Sequence, residues 1–196
     1  MNKKCVFVLA SKSPRRKSLL QNIGINAQII PANVDESALK GLEPDRMVKQ
    51  LAMLKASDVA RSFRGNTVII GADTCVYLDG KVMGKPQTIA EAEDMLRRLS
   101  GNTHEVYTGY CVFNCADGNA VSRCEKTRVT FRKLSEEEIK AYVKTREPMD
   151  KAGAYGIQNK GSIFVEKIEG DYFNVVGLPV CALVKLLKDE FGINIL

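Results

Sequence analysis

Residues 66–86 read NTVIIGADTCVYLDGKVMGKP. An apolar run leads up to Asp73, and Asp79-Gly80 then separates two short stretches suited to pairing. Asp-Gly between such stretches is a two-residue hairpin turn. The segment therefore predicts a strand that runs on into a hairpin. If Leu78 faces Lys81, then Val76 faces Met83 and Thr74 faces Lys85, with opposed residues about 5 Å apart. Lys85 then shares the face of Thr74 and not of Asp73, because side chains alternate along a strand. A bulge or the end of the ladder is needed if Asp73 and Lys85 are to act together.

Outward from this hairpin, strands and helices interleave. KCVFVL near the N-terminus reads as a buried strand, followed by a helix from Pro14 to about Ile23 that Gly24 ends. AQIIPANV (27–34) reads as a second strand. Residues 44–62 have helical spacing, with Val48, Leu51, Ala52 and Val59 on one stripe. Thr88 and Glu91 form a capping-box pattern that opens a helix to about Leu99, and Ser135 with Glu138 repeats the pattern for a helix to about Thr145. Between them, residues 104–116 and 119–132 predict two long strands joined at Asp117-Gly118. REPMDKAGAYGIQNKG (146–161) is loop-like, SIFVEKI (162–168) reads as a strand, and a last helix starts near Pro179. Hairpins among alternating strands and helices predict an α/β fold with a mixed sheet.

The 196 residues suit one domain over 1–196, and 45% apolar with 27% charged residues is ordinary for a globular protein. The net charge of +6 suits a nucleic acid or a small polyanion such as a nucleotide. With no tryptophan and no basic run interleaved with aromatics, nucleic acid is the weaker match. The N-terminal apolar run is too short for a signal peptide, and no stretch approaches membrane-spanning length, so the expected location is the cytoplasm. Six cysteines fit free thiols there. Cys111 and Cys115, an even number apart, fit one face of a strand better than a zinc site.

Four features carry chemistry. Ser13 and Pro14 signal a helix start, yet Arg15 and Arg16 follow, where cations oppose the helix dipole at about 0.3–1 kcal/mol each. They are either solvated surface residues or, with Ser11, Ser13 and the first-turn amides, a cradle for a phosphate chain. Asp73 ends an apolar run and is either a turn-former or a positioned acid. Lys55 interrupts the apolar stripe of its helix, so it either snorkels or points a charge into a cleft. Asp35-Glu36 follow the second strand, where a carboxylate beside a phosphate could hold a divalent cation. GKVMGKP is not a phosphate loop, no GxGxxG is present, and the single histidine, His104, is expected to be structural. Carboxylates and lysines remain, which suit metal-assisted phosphoryl hydrolysis.

LASKSPRRKSLL, VDES, GADTCVYLDGKVMGKP, LSGNTHEVYTGY and DKAGAYGIQNKGSIFVEKIEGDYFNVVGLPV together, in this order over about residues 6–190, resemble the Maf family of nucleoside triphosphate pyrophosphatases. The resemblance implies an elongated fold like that of the inosine triphosphate pyrophosphatases, with two lobes around a central cleft. It implies hydrolysis of a nucleoside triphosphate to monophosphate and pyrophosphate with Mg²⁺ or Mn²⁺, and a homodimer. The family's proton acceptor falls on Asp73, and its specificity positions on Arg15, Thr74 and Gln158. YGIQ (155–158) is similar to the branch acting on dTTP and UTP. Cys75 stands where an aliphatic residue is more usual, and Asn159-Lys160 depart from the common pattern. On this reading Ser11, Arg15, Arg16, Lys55, Thr74, Lys85 and Gln158 contact substrate, while Glu36 and Asp73 hold the metal. Two alternatives stay open: another non-standard nucleotide such as 7-methyl-GTP, or a nucleotide-binding regulator of septum formation without turnover.

Overall fold

The computed structural model describes residues 5–36, 39 and 41–196. The chain runs β1 (Val6–Leu9), α1 (Pro14–Asn22), β2 (Gln28–Ile29), α2 (Pro44–Ala60), β3 (Thr67–Leu78), β4 (Lys81–Met83), α3 (Ile89–Leu99), β5 (Thr103–Asn114), β6 (Ala120–Phe131), α4 (Glu136–Lys144), β7 (Val165–Glu169), α5 (Tyr172–Val176) and α6 (Val180–Phe191). Among the described residues these strands form a seven-stranded sheet ordered β2-β1-β3-β5-β6-β7, with β4 paired to β3. β1 runs parallel to β2 and β3, while the β3–β4 and β6–β7 pairs are antiparallel. The mixed α/β expectation is met.

The hairpin has the expected register, Leu78 opposite Lys81 and Val76 opposite Met83. Asp79 (φ 50°) and Gly80 (φ 76°) both take left-handed backbone, as a turn matching the twist of the strands requires. The ladder ends at Met83, so Lys85 lies beyond it and is exposed. The second strand is shorter than its sequence implies, because only Gln28 and Ile29 pair with β1. Residues 146–164 are not plain loop. They fold into three 3₁₀ turns, Glu147–Asp150, Ala152–Ala154 and Lys160–Phe164, so β7 begins only at Val165. The short α5 was not expected.

Ser135 completes its capping box: its Oγ accepts from Glu138 N, and Glu138 Oε2 accepts from Ser135 N at 2.9 Å. Thr88 forms half of one. Its Oγ1 accepts from Glu91 N at 3.1 Å, but Glu91 Oε2 bonds Gln87 N instead of the cap amide.

The chain divides into two compact units. The first comprises the described residues up to Asp73, with Thr108–Glu125 and Gly177–Leu196. Its interior joins Val8 and Ala10 to Ala52, Ala56 and Val59 of α2 and to Ile69 and Cys111. Here glycine decides the approach of α2. A Cβ on Gly71 of β3 would collide with Ala52 O and stand 2.9 Å from Ala56 N, and one on Gly109 of β5 would collide with Val48 O. The second unit comprises Thr74–Tyr107 and Lys126–Val176. It is built on aromatic edge contacts: Phe131 with Tyr155 at 4.8 Å, Tyr142 with Phe164 at 5.0 Å, and His104 with both Phe131 and Tyr155 at 5.2 and 5.3 Å. Among the described residues no helix is long and apolar enough to cross a membrane.

Candidate active site

The close approach at Gly71 has a chemical result two residues later. With α2 pressed on β3 at Ala52 and Ala56, Lys55 reaches the end of the apolar run and donates to Asp73 Oδ1 at 2.6 Å. The same Nζ stands 2.6 Å from Glu36 Oε1. The loop that carries Glu36 is tied to α2 a second time, where Asn33 N donates to Asp58 Oδ2 at 2.9 Å. Lys55 and Asp73 are mostly covered, with 16% and 17% of their side chains exposed, whereas Glu36 is 54% exposed. Lys55 therefore does not snorkel to solvent. Its ammonium is clamped by two carboxylates from separate parts of the chain. Gly71 is the position that sequence reasoning missed, although the small residues Ala52 and Ala56 one turn apart on α2 carried the signal.

Helix α1 starts where expected, with Ser13 as N-cap accepting from Arg16 N and Pro14 following. The first turn contains no acidic residue. The two arginines differ from a simple paired cradle. Arg16 Nε donates to Gly177 O at 2.7 Å, and its Nη1 donates to Ala72 O at 2.8 Å and to Ser11 Oγ at 3.2 Å. Ala72 and Gly177 are buried. Burial pushes the Arg16 guanidinium below its ordinary pKa, the attraction of Asp73 opposing this. Arg16 thus ties α1 to the backbone immediately before Asp73. Ser11, itself buried, also accepts from Ser13 N at 3.2 Å, so its hydroxyl organises the turn into α1. Within this unit the structure brings together Ser11, Arg16, Glu36, Lys55 and Asp73, with Arg15 in the same first turn.

Thr74, Lys85 and Gln158 belong to the second unit. Thr74 is half-buried in β3, Lys85 is exposed after β4, and Gln158 is exposed at a turn that follows buried Ile157. His104 is structural, as expected. It is 1% exposed, its Nε2 meets Tyr155 Oη at 2.8 Å, and burial lowers its pKa to about 4. The six cysteines are unpaired with one another. The Cys111 thiol, pushed up to about 12 by burial, donates to Met53 Sδ at 3.6 Å.

A model of the Maf-like protein family matches residues 6–190. The chain belongs to the Maf-like family. Curated relatives of this Maf-like chain include the dTTP/UTP pyrophosphatase of Alkaliphilus metalliredigens, 49% identical over 97% of this chain and 98% of the relative. That of Bacillus cereus is 50% identical over 96% of this chain and 97% of its own length. A solved structure, the Ham1 protein of Staphylococcus aureus, aligns over 64% of this chain and 71% of its own at a TM-score of 0.46 and 14% identity.

Proposed function

We infer that this Maf-like chain hydrolyses dTTP and UTP to the nucleoside monophosphate and pyrophosphate with a divalent metal ion. The observation that carries the reading is the pair of carboxylates, Glu36 and Asp73, converging on one cation, the Lys55 ammonium. The names of relatives about half identical over nearly the whole chain supply the substrates.

Those carboxylates fit a divalent metal. Their oxygens already face one cationic centre, and Mg²⁺ is usually held by one or two carboxylates plus substrate phosphates and water. Glu36 and Asp73 would hold it, and a bound Mg²⁺ or Mn²⁺ supplies neutralisation of the phosphate charge that grows as the anhydride bond breaks. Asp73 is the general base. Lys55 engages its Oδ1 and orients the carboxylate, which takes the proton of the attacking water. The new bond forms between the water oxygen and the α-phosphorus, and pyrophosphate leaves with the electrons of the α–β bridge. Arg15 holds the phosphate chain at the positive end of α1, where a guanidinium fork favours an anion. Arg16 positions the Asp73 backbone through Ala72 O. Gln158 offers both an amide donor and an acceptor, the pair that the pyrimidine edge of uracil or thymine requires.

Product analysis in ¹⁸O-water tests the reaction. With UTP and Mg²⁺ we expect pyrophosphate and UMP, with the label in UMP, and faster turnover of UTP and dTTP than of GTP. Orthophosphate with UDP would overturn the reaction, and equal turnover of GTP would overturn the base assignment.

A further inference from the structure

Gln158 is exposed on a turn, so something else must fix its direction. The chain on either side of it is pinched shut. A Cβ added to Gly161 would stand 2.8 Å from Gly156 O and 2.7 Å from Tyr142 Oη, so the two ends of the 156–161 segment meet against the tyrosine hydroxyl. Gly156 N donates to Tyr142 Oη at 3.1 Å on the near side of Gln158. Glu147 accepts on the far side, from Lys160 N at 3.3 Å and Gly161 N at 3.3 Å. The two halves are joined, because Tyr142 Oη donates to Glu147 Oε1 at 2.9 Å. Lys151, buried, completes the frame by donating to Glu147 O at 2.7 Å and to Asp150 Oδ1 at 2.6 Å. Burial pushes the Tyr142 phenol pKa up, with the Glu147 bond adding to it, so the hydroxyl remains a donor.

We propose that Tyr142 and Glu147 form a clamp that closes the neck of the 156–161 turn and thereby aims Gln158 at the nucleotide base. Both are positioning residues: they touch backbone amides of the turn and act through Gln158. The inference rests on the pyrimidine reading above. A site that discriminates by hydrogen bonds depends on the alignment of its donor and acceptor, so loosening the turn lowers discrimination before it lowers the chemistry.

The test measures kcat/KM for UTP and for GTP in the full chain. Tyr142→Phe removes the hydroxyl and retains the ring edge against Phe164. The UTP-over-GTP ratio should fall about tenfold, chiefly through KM for UTP. Glu147→Gln keeps the size of the carboxylate but adds a donor against the two amides, so it should lower the ratio in the same direction. In a Gln158→Ala background neither change should alter the ratio further, because the clamp acts through that side chain. A merely structural role would lower both nucleotides alike, and that result overturns the proposal, as does a change that adds to Gln158→Ala. Should Tyr142→Phe not fold, Glu147→Gln alone decides by the same two criteria. If unaltered protein prefers UTP and Gln158→Ala abolishes the preference while both clamp variants keep it, the clamp fails and the pyrimidine reading stands. Absence of any preference in the unaltered protein overturns both.

Discussion

Helix α4 opens on Glu136, Glu137 and Glu138, while α1 opens on Arg15 and Arg16. Both have a serine N-cap, but only α4 is completed by its own chain. Its capping box closes, its acids complement the dipole, and Arg132 makes a two-pronged pair with Glu138, holding that carboxyl down to about 2. In α1 the charges oppose the dipole, and one of them, Arg16, is turned onto the carbonyls of Ala72 and Gly177. The contrast separates two uses of the same element. One helix start serves stability within its unit, and the other keeps a positive end beside the carboxylate that the account makes the base.

The largest effect belongs to Asp73, beside the α1 end. Asp73→Asn keeps the shape and a contact for Lys55 but cannot take a proton, so kcat should fall about 10²–10⁴-fold in steady-state pyrophosphate release. Near-normal turnover would move the base elsewhere. Next comes Arg16. Removing its guanidinium leaves two buried carbonyls without that donor, so Arg16→Ala should lose about 2–3 kcal/mol in urea unfolding, besides weakening turnover. Unchanged stability would return Arg16 to the role of a plain phosphate contact.

A smaller effect lies in the aromatic core of the second unit, which the comparison makes purely structural. The ordinary histidine pKa near 6.5 falls to about 4 for His104 on folding. Between these values the unfolded chain binds a proton that the folded chain refuses. The stability is therefore full above pH 6.5 and is lost as pH falls toward 4, by about 2 kcal/mol between pH 7 and pH 5. Urea titrations at the two pH values should show this loss, and in His104→Gln it should disappear. Parallel profiles for the two proteins would contradict the burial argument.

What the sequence made legible was local. Asp79-Gly80, Ser13-Pro14 and Ser135 with Glu138 act within a few residues, so turn and cap chemistry placed them correctly. The Thr88 box was half right because Glu91 had a competing amide one residue earlier, at Gln87. Lys55 was visible as a charge in an apolar stripe, but its partners were not. Asp73 reaches it because Gly71 lets α2 and β3 touch, and Glu36 because its loop is tied to α2 at Asp58, packing facts with no period along the chain. The two arginines looked equivalent since neighbours share a local environment in sequence. Their difference comes from Gly177, far along the chain. The clamp around Gln158 was hidden for the same reason: glycine amides that bond a distant tyrosine and glutamate look like any flexible loop.

On this reading the start of α1 is built for a nucleotide. Its most direct measurement is UTP affinity by calorimetry, with Ca²⁺ in place of Mg²⁺ to slow turnover, alongside the apo melting temperature. Two variants are compared, Arg15→Ala in α1 and Ser135→Ala in α4. The account predicts at least about tenfold weaker UTP binding for Arg15→Ala, as for loss of a charged phosphate contact. For Ser135→Ala it predicts unchanged affinity and a loss of about 1 kcal/mol. An Arg15→Ala protein that melts lower while binding UTP normally would contradict it.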